Sequence, residues 1–183
     1  MKEEYYLKQL AKEDKELYDK GVYNLETGNY DEAEKQLKKI KDKVTEFPPV
    51  YNKLAVKSIY CNQLEIAKNC LNKALDIDEE FPPAITNLGS IEKKNGNLDK
   101  ARQFYEKAIK INDEYGPAYN NLGVIYREKG NFKKSIKNLK KARKLGSYTV
   151  KMKRDKSFYK EKGCIIPLVL FIIIVLVIYF WLA

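Results

Sequence analysis

The side chains that could carry out bond-making chemistry are few in kind. The chain of 183 residues contains no histidine, so the commonest general base at neutral pH and the commonest metal ligand are both missing. Its three cysteines, Cys61, Cys70 and Cys164, are odd in number and stand at no C-x-x-C or zinc-site spacing, a usage that fits reduced thiols facing a cytosol. No phosphate loop and no nucleophile paired with a base is found. The sequence therefore predicts a protein that is not an enzyme, with no cofactor, no metal site and no small-molecule substrate. What remains is recognition by charge, amide, hydroxyl and ring.

The charge is unevenly placed. The net charge is +10, but residues 127–163 hold 15 Lys and Arg against Glu128, Asp155 and Glu161, and residues 1–126 are slightly acidic at −2. Such a gradient towards one end is read together with whatever lies at that end. A nucleic-acid interface would need a recognisable recognition module among these lysines, and none is present, so no nucleic-acid partner is expected.

The elements that position the polar side chains follow from a repeat. At steps of 34 residues the types hold: Leu17, Tyr51, Ile85, Tyr119; Gly21, Ala55, Gly89, Gly123; Ala33, Ala67, Ala101, Ser135. Three more columns agree, namely Tyr30, Leu64, Leu98, Phe132; Leu37, Leu71, Tyr105, Leu139; and Ile40, Ala74, Ala108, Ala142. Gly28, Gly96 and Gly130 mark where a first helix must end in a left-handed residue, and Asn62 takes that place in the second unit. Asn29, Asn97 and Asn131 follow as N-caps of a second helix, with Glu32 completing a capping-box-like pair with Asn29. Pro48, Pro49, Pro82, Pro83 and Pro117 open the next first helix, where a missing N–H does no harm.

A 34-residue helix-turn-helix period with Asn87-Leu88-Gly89 echoed by Asn121-Leu122-Gly123, and Phe47-Pro48-Pro49 by Phe81-Pro82-Pro83, resembles the tetratricopeptide repeat family. The resemblance implies an all-α, right-handed α-solenoid of four helix-turn-helix units, at 14–47, 48–81, 82–115 and 116–149. The first unit has Lys20 and Lys43 where later units have apolar residues, as a half-exposed terminal unit would.

The same resemblance implies a groove lined by the first helix of each unit, which holds an extended peptide or a partner's helix. The residues facing it are expected to be Tyr18, Asn52, Lys53, Val56, Thr86, Asn87, Ser90, Asn120, Asn121 and Val124. Asn87 and Asn121 match a family ladder of asparagines that hydrogen-bonds ligand backbone, whereas the first two units have Asp19 and Lys53 in that column. The carboxylate clamp by which some members read acidic chaperone tails is absent, since its Lys and Asn columns read Tyr18 and Val22, Asn52 and Val56, or Thr86 and Ser90.

Two segments flank the repeats. Leu7, Leu10, Ala11, Leu17, Tyr18 and Gly21 keep helical spacing, so residues 1–13 are expected to form a helical extension that runs on from about residue 3 into the first unit and covers the open end of the array. At the other end, 164–183 is an uncharged run, and 15 of the 18 residues from Ile165 to Leu182 are Leu, Ile, Val or Phe. Twenty residues at about 1.5 Å each make roughly 30 Å, the thickness of a hydrocarbon core. One C-terminal transmembrane helix, a tail anchor, is therefore expected, with Tyr179 and Trp181 at the far interface. The basic juxtamembrane segment 150–163 supplies Lys151, Lys153, Arg154, Lys156, Lys160 and Lys162, which by the positive-inside rule leave the repeats cytoplasmic and meet an anionic lipid surface.

These features predict a membrane-anchored adaptor or scaffold that binds a protein partner through the groove. The second reading is a structural assembly or organelle-shaping factor that works by self-association at a membrane.

Overall fold

Each 34-residue period becomes two helices because one apolar face of each can be buried only against its neighbours. The computed structural model describes residues 2–147. Among them the helices are α1 (Lys2–Leu7), α2 (Lys12–Thr27), α3 (Tyr30–Lys43), α4 (Pro48–Tyr60), α5 (Leu64–Ile77), α6 (Pro82–Lys94), α7 (Leu98–Ile111), α8 (Gly116–Glu128) and α9 (Phe132–Lys144). There is no strand among the described residues. Helices pair as α2 with α3, α4 with α5, α6 with α7 and α8 with α9, and each pair packs on the next. The first helices also touch one another, α2 with α4, α4 with α6 and α6 with α8, so they form one layer.

The repeating columns are what is buried. Ala33, Ala67 and Ala101 are fully enclosed, as are Leu37, Leu71 and Tyr105, and Ile40, Ala74 and Ala108. Small residues sit where helices approach most closely. A Cβ added to Gly89 would stand 2.6 Å from the Tyr105 ring, and one added to Gly123 would stand 2.8 Å from Leu139. At the last unit the second-helix column ends in Phe132, which is exposed.

The turns inside the pairs are left-handed where the sequence predicts. Gly28, Gly96 and Gly130 have φ of 85°, 81° and 73°, and Asn62 takes φ 58° in their place. The capping expectation is corrected in part. Asn29, Asn97 and Asn131 do stand at the N-caps, but only Asn131 accepts a hydrogen bond from a helix N–H, that of Lys134. The Asn97 amide instead donates to Glu92 and the Asn29 amide to Asn24 and Thr27, because the preceding helix offers acceptors within reach. Glu32 accepts from Gln36 rather than closing a capping box.

The largest departure is at the start of the chain. The expected continuous helix is two, α1 and α2, separated by a turn at residues 8–11. Ala11 is extended, with ψ 152°, and α2 starts again with Glu13 and Asp14 in its first turn, where the helix dipole favours negative charge. Asp14 is buried and pairs with Lys43 at 2.6 Å, which holds the new helix start against the end of α3. The break turns α1 away from the axis of α2 and onto α4.

Candidate functional site

The ten residues expected to face the groove lie on α2, α4, α6 and α8, and none of them is exposed. Tyr18, Asn52 and Thr86 are buried, whereas Lys53, Val56, Asn87, Ser90, Asn120, Asn121 and Val124 are half-buried. They share the layer of first helices but do not form one hydrogen-bonded row. The Asn87 amide donates to Asn52 Oδ1 at 2.8 Å, between adjacent units. Among the described residues the side chains of Asn120 and Asn121 make no hydrogen bond. Ser90 Oγ donates to the Thr86 carbonyl at 3.1 Å and lies 3.5 Å from the Tyr105 hydroxyl. Thr86 Oγ1 is buried with no partner.

At the first two units the face is covered, and α1 covers it. Glu3 accepts from the Tyr18 hydroxyl at 3.0 Å and from Lys53 Nζ at 3.2 Å. Tyr6 sets its ring edge-to-face against both Phe47 and Phe81, with centroids 6.4 and 6.1 Å away. Its hydroxyl donates to Asp78 Oδ2 at 3.1 Å, while Lys2 Nζ donates to Asp78 Oδ1 at 3.0 Å. Tyr18 in turn meets Phe47 edge-to-face at 5.4 Å. Phe47 and Phe81 occupy equivalent positions at the ends of successive units.

The electrostatics follow from this enclosure. Burial, then the Asp78 carboxylate, pushes the Tyr6 phenol up to about 12. Burial, then the Glu3 charge, raises Tyr18 as well, and the same two causes raise Tyr115. These hydroxyls stay protonated through the neutral range, so beneath α1 the face offers a carboxylate the Tyr18 O–H and the Lys53 ammonium. Burial also raises the Cys70 thiol, which disfavours the reactive thiolate. Among the described residues no group of three or more His, Cys, Asp or Glu side chains could hold a metal ion.

Sequence reasoning missed Lys2, Glu3 and Tyr6 because unbroken helical spacing assigned them to an extension of α2. One signal pointed the other way: Glu13 and Asp14 mark a helix start ten residues into the supposed helix. The six basic residues from Lys151 to Lys162 and the apolar run 164–183 lie outside the described residues. No helix among the described residues is long and apolar enough to cross a membrane.

Residues 48–81 and residues 83–147 each match a family model described as tetratricopeptide repeat. Among solved structures, MamA is 26% identical with a TM-score of 0.56, over 79% of this chain and 84% of that one. A thermophilic TPR protein of Thermus thermophilus aligns with a TM-score of 0.63 at 19% identity, over 72% of this chain and 74% of its own. The first TPR of Spaghetti (RPAP3), bound to the HSP90 peptide SRMEEVD, aligns with a TM-score of 0.54 at 22% identity, over 62% of this chain and 90% of that one. No curated protein matches the chain.

Proposed function

This chain carries tetratricopeptide repeats, and from that premise we propose that it is a non-catalytic adaptor, held at a membrane, whose layer of first helices binds a protein partner. The observation that supports this reading most directly is the face itself. It already receives a helix, α1, through ring, carboxylate and ammonium contacts drawn from several units. Interaction by side-chain complementarity is the way such repeats work, and neither family match is to an enzyme. The carboxylate clamp columns hold Tyr18, Asn52, Thr86 and their neighbours, so an acidic chaperone tail is not the ligand this face suits.

The apolar run from Cys164 to Ala183 crosses the bilayer once in this reading. The repeats are cytoplasmic, with Lys151, Lys153, Arg154, Lys156, Lys160 and Lys162 against anionic headgroups. Each such basic residue near the surface adds about 1 kcal/mol of attraction.

Photo-crosslinking in the native cell tests the adaptor role. A photoreactive side chain at Val124 should capture a discrete protein partner, whereas one at Ile66, exposed on α5, should not. Equal capture at both positions, or none at Val124, would remove the first-helix face from the account. Alkaline extraction of membranes tests the anchor: the full chain should stay in the pellet, and its release into the supernatant would remove the span.

A further inference from the structure

We propose that α1 is a tethered stand-in for the partner, and that the site beneath it selects a short helix carrying a carboxylate and an aromatic hydroxyl three residues apart, as Glu3 and Tyr6 are. The proposal rests on the adaptor reading above and names the chemistry of the partner that reading leaves open.

The contacts of α1 are those of a ligand with a socket. Lys2, Glu3 and Tyr6 fall on one side of the helix and all engage the repeats, while Tyr5 on another side is 62% exposed. The socket is composite and is built without α1. Tyr18 comes from α2, Lys53 from α4, Asp78 from the end of α5, and the two rings from the junctions at Phe47 and Phe81. Phe47 and Phe81 are themselves core residues of separate clusters, so removing α1 leaves their supports in place.

The chemistry of the socket is specific. Lys53 and the Tyr18 hydroxyl converge on one carboxylate oxygen of Glu3. Asp78 meets a phenol O–H with one oxygen and an ammonium with the other. A helix without an acid would leave Lys53 and Tyr18 unpaired there, one without an aromatic ring would leave the space between Phe47 and Phe81 empty, and one without the hydroxyl would take a donor from Asp78.

The grip of α1 is light. It has six residues, none of them buried, and a helix that short has little stability of its own in water. Joined to α2 by a four-residue turn, it meets the socket at an effective concentration on the order of 1 mM. If its own dissociation constant is about 0.1 mM, a competing helix is weakened roughly tenfold. A partner that continues past α1 onto α6 and α8 gains contacts at Asn121 and Val124, and so displaces it.

The test uses the full chain in detergent micelles and a fluorescent peptide with the sequence of residues 1–11. Fluorescence anisotropy should show roughly tenfold tighter binding to a Glu3→Lys chain, whose own α1 is repelled by Lys53, than to the unchanged chain. Tyr6→Ala, which opens the latch by a different route, should give the same gain. Lys53→Glu also opens the latch but should reject the peptide and accept its Glu3→Lys version instead. Equal affinity for the unchanged and opened chains would overturn the proposal, as would peptide binding indifferent to Lys53→Glu. Failure of the peptide to bind any chain would overturn it too, while crosslinking at Val124 would still decide the adaptor reading by itself.

Discussion

The two ends of the first-helix layer share one period and differ in what stands on them. Over α2 and α4 the face is occupied by α1, Tyr18 is fully buried, and Glu3 answers the charge of Lys53. Over α8 the equivalent positions, Asn120, Asn121 and Val124, are half-buried, and none of the α1 contacts described above is made to them. The repeat sets the backbone alike at both ends. The contrast comes from side chains that the period does not govern: Glu3 and Tyr6 before the first unit, and Lys53 and Asp78 within the second. Regular columns build the layer, and irregular residues decide which part of it is already engaged.

The strongest effect is expected where the period is strictest. Gly89→Leu should destabilise the protein by about 1–3 kcal/mol by forcing Tyr105 and Phe104 aside. Gly21, in the same column of the first unit, faces the end of Leu37, a more flexible side chain, with a closest approach of 3.0 Å against 2.6 Å at Gly89. Paired thermal melts of the two leucine variants would show the difference, and equal losses would mean that the terminal unit is packed as tightly as the third.

A smaller effect separates the caps. Asn131→Ala should cost about 1 kcal/mol, because its side chain accepts from the Lys134 N–H at the helix start, whereas Asn97→Ala removes a side-chain bond to Glu92 that satisfies no helix N–H and should cost less. Urea unfolding of both variants reads the ratio, and a reversed order would mean that the Asn97 to Glu92 bond holds its turn more firmly than a true cap.

The smallest effect at neutral pH is a pH dependence that Tyr6 adds at the α1 end. Tyr6 is raised from its ordinary 10.0 to about 12, so the stability it contributes is complete below the unfolded value and is lost as pH rises from 10.0 towards 12. Melting temperatures taken from about pH 9 to about pH 12 should fall less steeply for Tyr6→Phe, which keeps the ring and removes the ionisation. Identical slopes would place Tyr6 in water rather than between Phe47 and Phe81.

The helix pairs, their left-handed turns and the buried columns were legible because each is specified within one 34-residue unit and then repeated. Gly28, Gly96 and Gly130 could be read from the need for positive φ, and Gly89 from the close approach of two helices. The candidate site was legible only as a list of positions on a shared face. That Asn87 would pair with Asn52, and that Asn29 and Asn97 would turn back to the preceding helix, depends on which acceptor packing brings nearest.

By itself, then, the sequence determined the local structure: where helices start, turn and stop within each unit, and which of their sides are apolar. Only the tertiary structure decided the fate of the first residues. Helical spacing is the same whether a segment continues a helix or folds back. The contacts that settle the matter, Tyr6 and Lys2 with Asp78, span 72 and 76 residues, a separation over which no periodic pattern carries information.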